Sequence, residues 1–166
     1  MARDVVTRPA AAPSTIVGAG IAAGIIGGIV MAMFEMAYTG MTMGDYLAPL
    51  RLMGATFYGP AALVGGMGTL LWGMIVHFMT SAVLGSIFAW MVGPNVSGGV
   101  ALGWGIVYGI VVMFVTTYLI VPWADPTMFA RVPMMWTAWI IGHVLYGMGV
   151  SLAPSFVRRS ERTVVA

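Results

Sequence analysis

Four stretches of this chain, about residues 16–38, 68–92, 99–121 and 134–154, contain a single formally charged residue among them all, Glu35. A bilayer hydrocarbon core takes roughly 20 apolar residues of helix to cross, so each stretch is long enough to span it. In lipid every backbone N–H and C=O must be satisfied inside the segment or in a closed barrel. The alternation that marks a barrel strand is missing. The expected fold class is therefore all-α: a polytopic membrane protein whose four transmembrane helices form a bundle. The transmembrane domain covers 16–154, with a cytoplasmic N-terminal tail at 1–15 and a cytoplasmic C-terminal tail at 155–166. The first stretch is too long for a signal peptide, and Glu35 and several methionines stand where a small-residue cleavage site is expected.

Composition supports the same reading and removes other classes. Sixty per cent of residues are hydrophobic and 7% charged, and the mean hydropathy is +0.98, beyond the range of soluble domains. All seven basic residues are arginines, so the pI near 9.3 reflects a few residues at the chain ends and in loops. No basic stripe exists for a nucleic-acid backbone, and no nucleic-acid partner is expected. The absence of cysteine excludes disulfides, thiolate catalysis, iron–sulfur clusters and cysteine-ligated zinc. No phosphate loop, serine nucleophile elbow or zinc-protease helix is present.

Cytoplasmic loops collect positive charge. Arg3 and Arg8 precede the first span, Arg158, Arg159 and Arg162 follow the last, and the loop 93–98 between the middle spans is uncharged. This pattern predicts both ends in the cytoplasm, in a bacterial inner membrane. The other two arginines, Arg51 and Arg131, each follow an aspartate by six residues, with a proline in between. Asp45 and Arg51, and Asp125 and Arg131, are thus expected to balance each other in the outer loops.

Those matched loops belong to a wider correspondence. Residues Gly24 to Met31 align with Gly105 to Val112, Glu35 falls opposite Thr116, and Trp72 followed by His77 aligns with Trp139 followed by His143. The chain is expected to be two similar helical hairpins related by a pseudo-twofold axis along the membrane normal, as in parallel-repeat transporters. Small residues recur every fourth position, as at Gly20, Gly24 and Gly28 or Gly105 and Gly109, and such rows let helix backbones approach closely. The long outer loop 39–67 is expected to hold a short interfacial helix from about Asp45 to Tyr58, with Tyr46, Leu50, Phe57 and Tyr58 in the headgroup layer.

Ionisable groups in a span cost ~3 kcal/mol or more each and mark functional positions. His77 and His143 each lie nine residues inside their spans from the outer end, or about 13 Å deep at 1.5 Å per residue. Each heads a row of small residues, so both should face the bundle interior together with Glu35 and Thr116. Several chemistries fit that set. His77 and His143 on different helices suit the two axial positions of a b-type haem. With Glu35 they make a two-histidine, one-carboxylate set for iron, zinc or copper. Met31, Met33, Met36, Met41 and Met43 add soft ligands suited to Cu(I), although methionine also fills gaps between helices. Each histidine is equally suited to a cross-helix hydrogen bond of ~1 kcal/mol.

Three functional classes follow. The chain is an accessory subunit of a larger respiratory or photosynthetic membrane complex, held by its glycine seams to other subunits or to itself as a homo-oligomer. Alternatively it binds haem or a metal for electron transfer or metal handling. As a third alternative it is a small transporter or channel with a path past Glu35. Soluble enzyme chemistry has no foothold.

Overall fold

The computed structural model describes residues 11–165, with side chains described to residue 161. Arg3 and Arg8, and the Arg162 side chain, on which part of the orientation expectation rests, lie outside what is described. Among the described residues the chain is helical and carries no strand. The elements are α1 (Pro13–Met43), α2 (Ala48–Tyr58), α3 (Met67–Val92), α4 (Gly98–Val115), α5 (Val121–Ala124), α6 (Pro126–Phe129), α7 (Trp136–Val150) and α8 (Ala153–Val165). A π-helical turn at Thr116–Ile120 joins α4 to α5, and short 3-10 turns follow α2 and precede α7. Four helical stretches, Pro13–Met43, Met67–Val92, Gly98–Ala124 and Val132–Glu161, are long and apolar enough to cross a membrane. They overlap the four expected spans. The surface fits lipid as the solvent: Ile29, Val83, Val111 and Phe114 are exposed while Glu35, His77, Ser81 and His143 are buried.

The first helix is 31 residues long, about 46 Å at 1.5 Å per residue, and outlasts a hydrocarbon core of about 30 Å. It stops at Gly44, whose φ of 75° lets its N–H return to the carbonyl of Gly40. Glycine seams then set the packing. Gly20 meets Ser86 and Gly85, whereas Gly28 meets Ser81 and His77, so α1 and α3 run antiparallel. Gly27 meets Tyr146 and Glu35 meets Gly142, so α1 and α7 are antiparallel as well. Gly105 faces Gly147 and Ser151, and Gly109 faces His143 and Gly147, which pairs α4 with α7 in the same sense. A Cβ on Gly24 or Gly105 would collide with the carbonyl of Ser81 or Gly147. Glycine is required there because backbone touches backbone.

The four long helices thus line up as α3, α1, α7, α4. The two ends of that row barely meet each other. At one end of the molecule Arg158 of α8 donates to the carbonyls of Pro94 (2.7 Å) and Val96 (3.1 Å) in the α3–α4 loop. The helix α8, which covers most of the expected 155–166 tail, packs on α1, α3 and α4.

The 39–67 loop does contain a helix, α2 (Ala48–Tyr58), which packs on α3. Tyr46, Phe57 and Tyr58 are exposed, whereas Leu50 is buried and its backbone carbonyl abuts Gly73. Leu50 therefore leaves the expected headgroup set, because the bare Gly73 surface draws that face of α2 onto α3. Arg51 and Asp45 form the expected ion pair. Asp125 does not pair with Arg131: its Oδ1 caps α6 by accepting the Met128 N–H at 2.9 Å, and its Oδ2 accepts from Thr56 at 3.1 Å. An aspartate followed by proline at the first helical position is a helix start, and that local use takes the carboxylate.

Candidate functional site

Where α3 and α4 part lies a cleft of about 250 Å³, whose lining includes the exposed Thr80 of α3 and Ile120 of the π-turn. Its back wall is α1 and α7, through Met31, Trp139, His143 and Tyr146. The sides are His77, Thr80 and Leu84 of α3 and Val112 of α4, continued by Thr116. Two hydrogen bonds frame it. Toward the α8 end, Tyr108 of α4 donates to the Leu84 carbonyl of α3 at 2.7 Å, and the rings of Tyr108 and Phe88 lie 5.2 Å apart. Toward the α2 end, Thr56 of α2 ties to Asp125 just before α6.

The cleft is shaped by a fault in α4. Pro122 has no N–H and its ring crowds the preceding turn, and the π-turn at Thr116–Ile120 absorbs this. Thr116, Ile120 and Val121 line the cleft there. The widened turn also directs Thr117 at α7, where its hydroxyl accepts from Trp139 Nε1 at 2.7 Å.

Both histidines line this one cleft, and each is anchored by one nitrogen. His77 Nε2 lies 2.9 Å from the Gly28 carbonyl, and His143 Nδ1 lies 2.8 Å from the carbonyl of Trp139, one turn back on its own helix. A carbonyl only accepts, so each of these nitrogens carries the proton. In the neutral rings His77 Nδ1 and His143 Nε2 then hold bare lone pairs. Neither is sealed off: among the described residues, the buried side-chain polar atoms without a partner are Glu35 Oε1 and Arg51 Nε.

Thr116 joins the histidines in the cleft, as expected, with its hydroxyl donating to the Val112 carbonyl at 2.8 Å. Glu35 does not join them. It is buried in the α1–α7 seam with its carboxyl against Gly142. Among the described residues no three His, Asp or Glu side chains are grouped as a metal site requires. Of the methionines around Glu35, Met31 lines the cleft while Met33 and Met41 are exposed. The thioethers that accompany Met31 are Met53 and Met128, from α2 and α6. Asp45, Arg51 and Arg131 line a separate, smaller pocket at the α2 end.

Sequence reasoning passed over Tyr146 and Tyr108. Tyr146 lies three residues after His143, on the same helical face, and its hydroxyl donates across to the Ser81 carbonyl at 2.8 Å. That spacing was the available signal; Tyr108 offered none.

The fold and site define a class: an all-helical chain with four helices able to cross a membrane, enclosing a cleft of small-molecule size with two anchored imidazoles. No protein-family model, no curated protein and no solved structure matches the chain.

Proposed function

We propose that this chain is a small multi-pass protein of a bacterial inner membrane that binds a lipid-soluble ligand in the cleft between α3 and α4, with His77 and His143 as its polar contacts. The observation that carries this reading is the pair of bare imidazole nitrogens on a mostly apolar cleft between α3 and α4, with Thr80 and Ile120 of its lining exposed. Ligand sites have this character: apolar walls with a few fixed polar groups.

Two architectural inferences go with it. The described N-terminal end of α1, the α3–α4 loop and α8 with Arg158 and Arg159 share one end of the molecule, which supports cytoplasmic ends by the positive-inside rule. The duplicated hairpin is supported by register. Gly24 meets Ser81 and Gly85 as Gly105 meets Gly147 and Ser151, and Gly28 meets His77 as Gly109 meets His143. In such a duplication the α1–α7 seam corresponds to the α4–α3 gap. The carboxyl of Glu35 occupies the seam, and its counterpart Thr116 lines the gap, so the cleft is the half of the pair that stays open.

An iron, copper or zinc ion held by His77 Nδ1 and His143 Nε2 is a variant of the same reading. A b-type haem fits less well, since axial ligation normally uses Nε2 and His77 directs that nitrogen at Gly28. Native mass spectrometry of the chain released from nanodiscs of total membrane lipid, with elemental analysis alongside, tests all three. One added mass per chain, absent from His77→Leu and His143→Leu, is expected, and elemental analysis sorts organic ligand from ion and haem. Equal added mass in wild type and both variants contradicts the reading.

A second reading, the accessory subunit of a respiratory or photosynthetic complex, draws on an apolar groove between α1 and α3 lined by Ile21, Val83, Ile87 and Trp90. Co-purification of other subunits with the chain in mild detergent tests it. A transport path past Glu35 would require the α1–α7 seam to open.

A further inference from the structure

The hydrogen-bonding groups that line the cleft are one-sided. His77 Nε2–H and His143 Nδ1–H are committed to carbonyls. Trp139 Nε1–H is committed to Thr117, the Tyr146 hydroxyl to the Ser81 carbonyl, and the Thr116 hydroxyl to the Val112 carbonyl. The Thr56 hydroxyl is committed to Asp125. Apart from the small hydroxyls of Thr80 and Ser81, the walls have no donor left to offer. What they present is lone pairs: two imidazole nitrogens and the oxygens of Tyr146 and Thr116. Acceptors in an apolar cleft stay unsatisfied unless the occupant brings hydrogens, and an unsatisfied buried acceptor is costly.

From this donor deficit we infer that the cleft selects a neutral, lipid-soluble hydroxyl donor, an aromatic diol of the quinol class, whose O–H groups donate to His77 Nδ1 and His143 Nε2. The inference rests on the ligand-binding reading above and deepens it. A cationic donor, such as a protonated lipophilic amine, would need a free counter-charge. The one carboxylate on the cleft, Asp125, is already held by the Met128 N–H and the Thr56 hydroxyl, so a neutral head is favoured. The oxidised form of the same molecule offers two carbonyls, which are acceptors, and would meet lone pairs with lone pairs. With only the Thr80 and Ser81 hydroxyls left to donate to a carbonyl, the cleft favours a quinol over its quinone by hydrogen-bond polarity.

The test uses the intact chain in nanodiscs under anaerobic conditions, with empty nanodiscs subtracting partition into lipid. Equilibrium dialysis is run with three probes sharing one ring and one decyl chain: the benzoquinol, its quinone and its dimethyl ether. The quinol is expected to bind about tenfold or more tightly than either of the others, the scale set by losing satisfied buried acceptors. His143→Leu should weaken quinol binding and shrink its preference over the ether, with thermal unfolding confirming that the variant is folded. If the variant does not fold, the three probes on the wild type decide alone. A quinone that binds as well as the quinol, or an ether that does, overturns the donor requirement and leaves the ligand-binding reading standing. A decyl amine that outcompetes the quinol also overturns it, since the site would then recognise charge. Failure of every probe to bind above the empty-disc background overturns this inference and counts against the ligand-binding reading together.

Discussion

Glu35 Oε1 lies 2.7 Å from the point where a Cβ on Gly142 would sit, and it is buried without a hydrogen-bond partner. One end of the α1–α7 seam is thus built around an unsatisfied polar atom. Gly142→Ala would push a methyl into the carboxyl and its Cγ, and overpacking of this sort costs ~1–3 kcal/mol. Glu35→Met keeps the unbranched shape and removes the orphan oxygen, and should stabilise by ~1–3 kcal/mol. At ~2–4 °C per kcal/mol for a chain of this size, tryptophan emission during heating in detergent will resolve both changes. A fall in melting temperature for Glu35→Met would mean that the carboxyl has a partner not visible in the static structure.

The glycine seams give a prediction about the duplication. Gly24→Ala and Gly105→Ala occupy equivalent places, each with the Cβ driven into a backbone carbonyl that has no room to shift. Both should destabilise by ~2 kcal/mol or more. Gly18 and Gly103 have nothing within 4 Å of a built Cβ, so alanine there should be neutral or stabilising by ~0.5–1 kcal/mol, through helix propensity alone. Urea or heat titrations of the four variants check this. Unequal losses at Gly24 and Gly105 would argue against two hairpins of matched register.

Asp125 predicts a dependence on pH. Burial raises its carboxyl above the ordinary aspartate range, opposed in part by hydrogen bonds from the Met128 N–H, the Thr56 hydroxyl and the Thr127 N–H. With the folded value raised, the charged form is disfavoured in the native state. The stabilising contribution is then fully present below the unfolded carboxyl pKa and is lost as pH rises through the folded value. The melting temperature of wild type relative to Asp125→Asn, which keeps a capping oxygen, should therefore fall as pH is raised across that window. Asp125→Ala, which loses the cap and the tie to Thr56, should cost ~1–2 kcal/mol below that window and less as pH rises through it.

Much of the architecture was legible because the bilayer imposes it. The four long apolar stretches, with Glu35 as their one charge, could be little else, and the helical rows Gly20–Gly24–Gly28 and Gly105–Gly109 announced which faces pack. The equal depth of His77 and His143 brought them to one place, as expected. Glu35 misled, since sequence gives the height of a residue on a helix more reliably than its azimuth. A small rotation sends it into the α1–α7 seam instead of the cleft. Asp125 misled for a local reason: an Asp-Pro pair was matched to Arg131 by charge, when its commonest use is to start a helix. The cleft itself was not legible, because it arises from the order α3, α1, α7, α4 and from the π-turn at Thr116. Neither is encoded by hydropathy.

The central claim is that the gap between α3 and α4 is open to the lipid. It is tested most directly by a phospholipid carrying a photoreactive diazirine in its acyl chain, incorporated with the intact chain into nanodiscs, with adducts mapped by peptide mass spectrometry. Val112 and His143 are 7% and 5% exposed, nearly as hidden residue by residue as Ala23 and Val150 at 0%, yet only the first two line the cleft. The account predicts adducts on Val112 and His143, on the exposed cleft residue Thr80, and none on Ala23 or Val150. Labelling confined to the outward faces, with Val112 and His143 as clean as Ala23 and Val150, would contradict it.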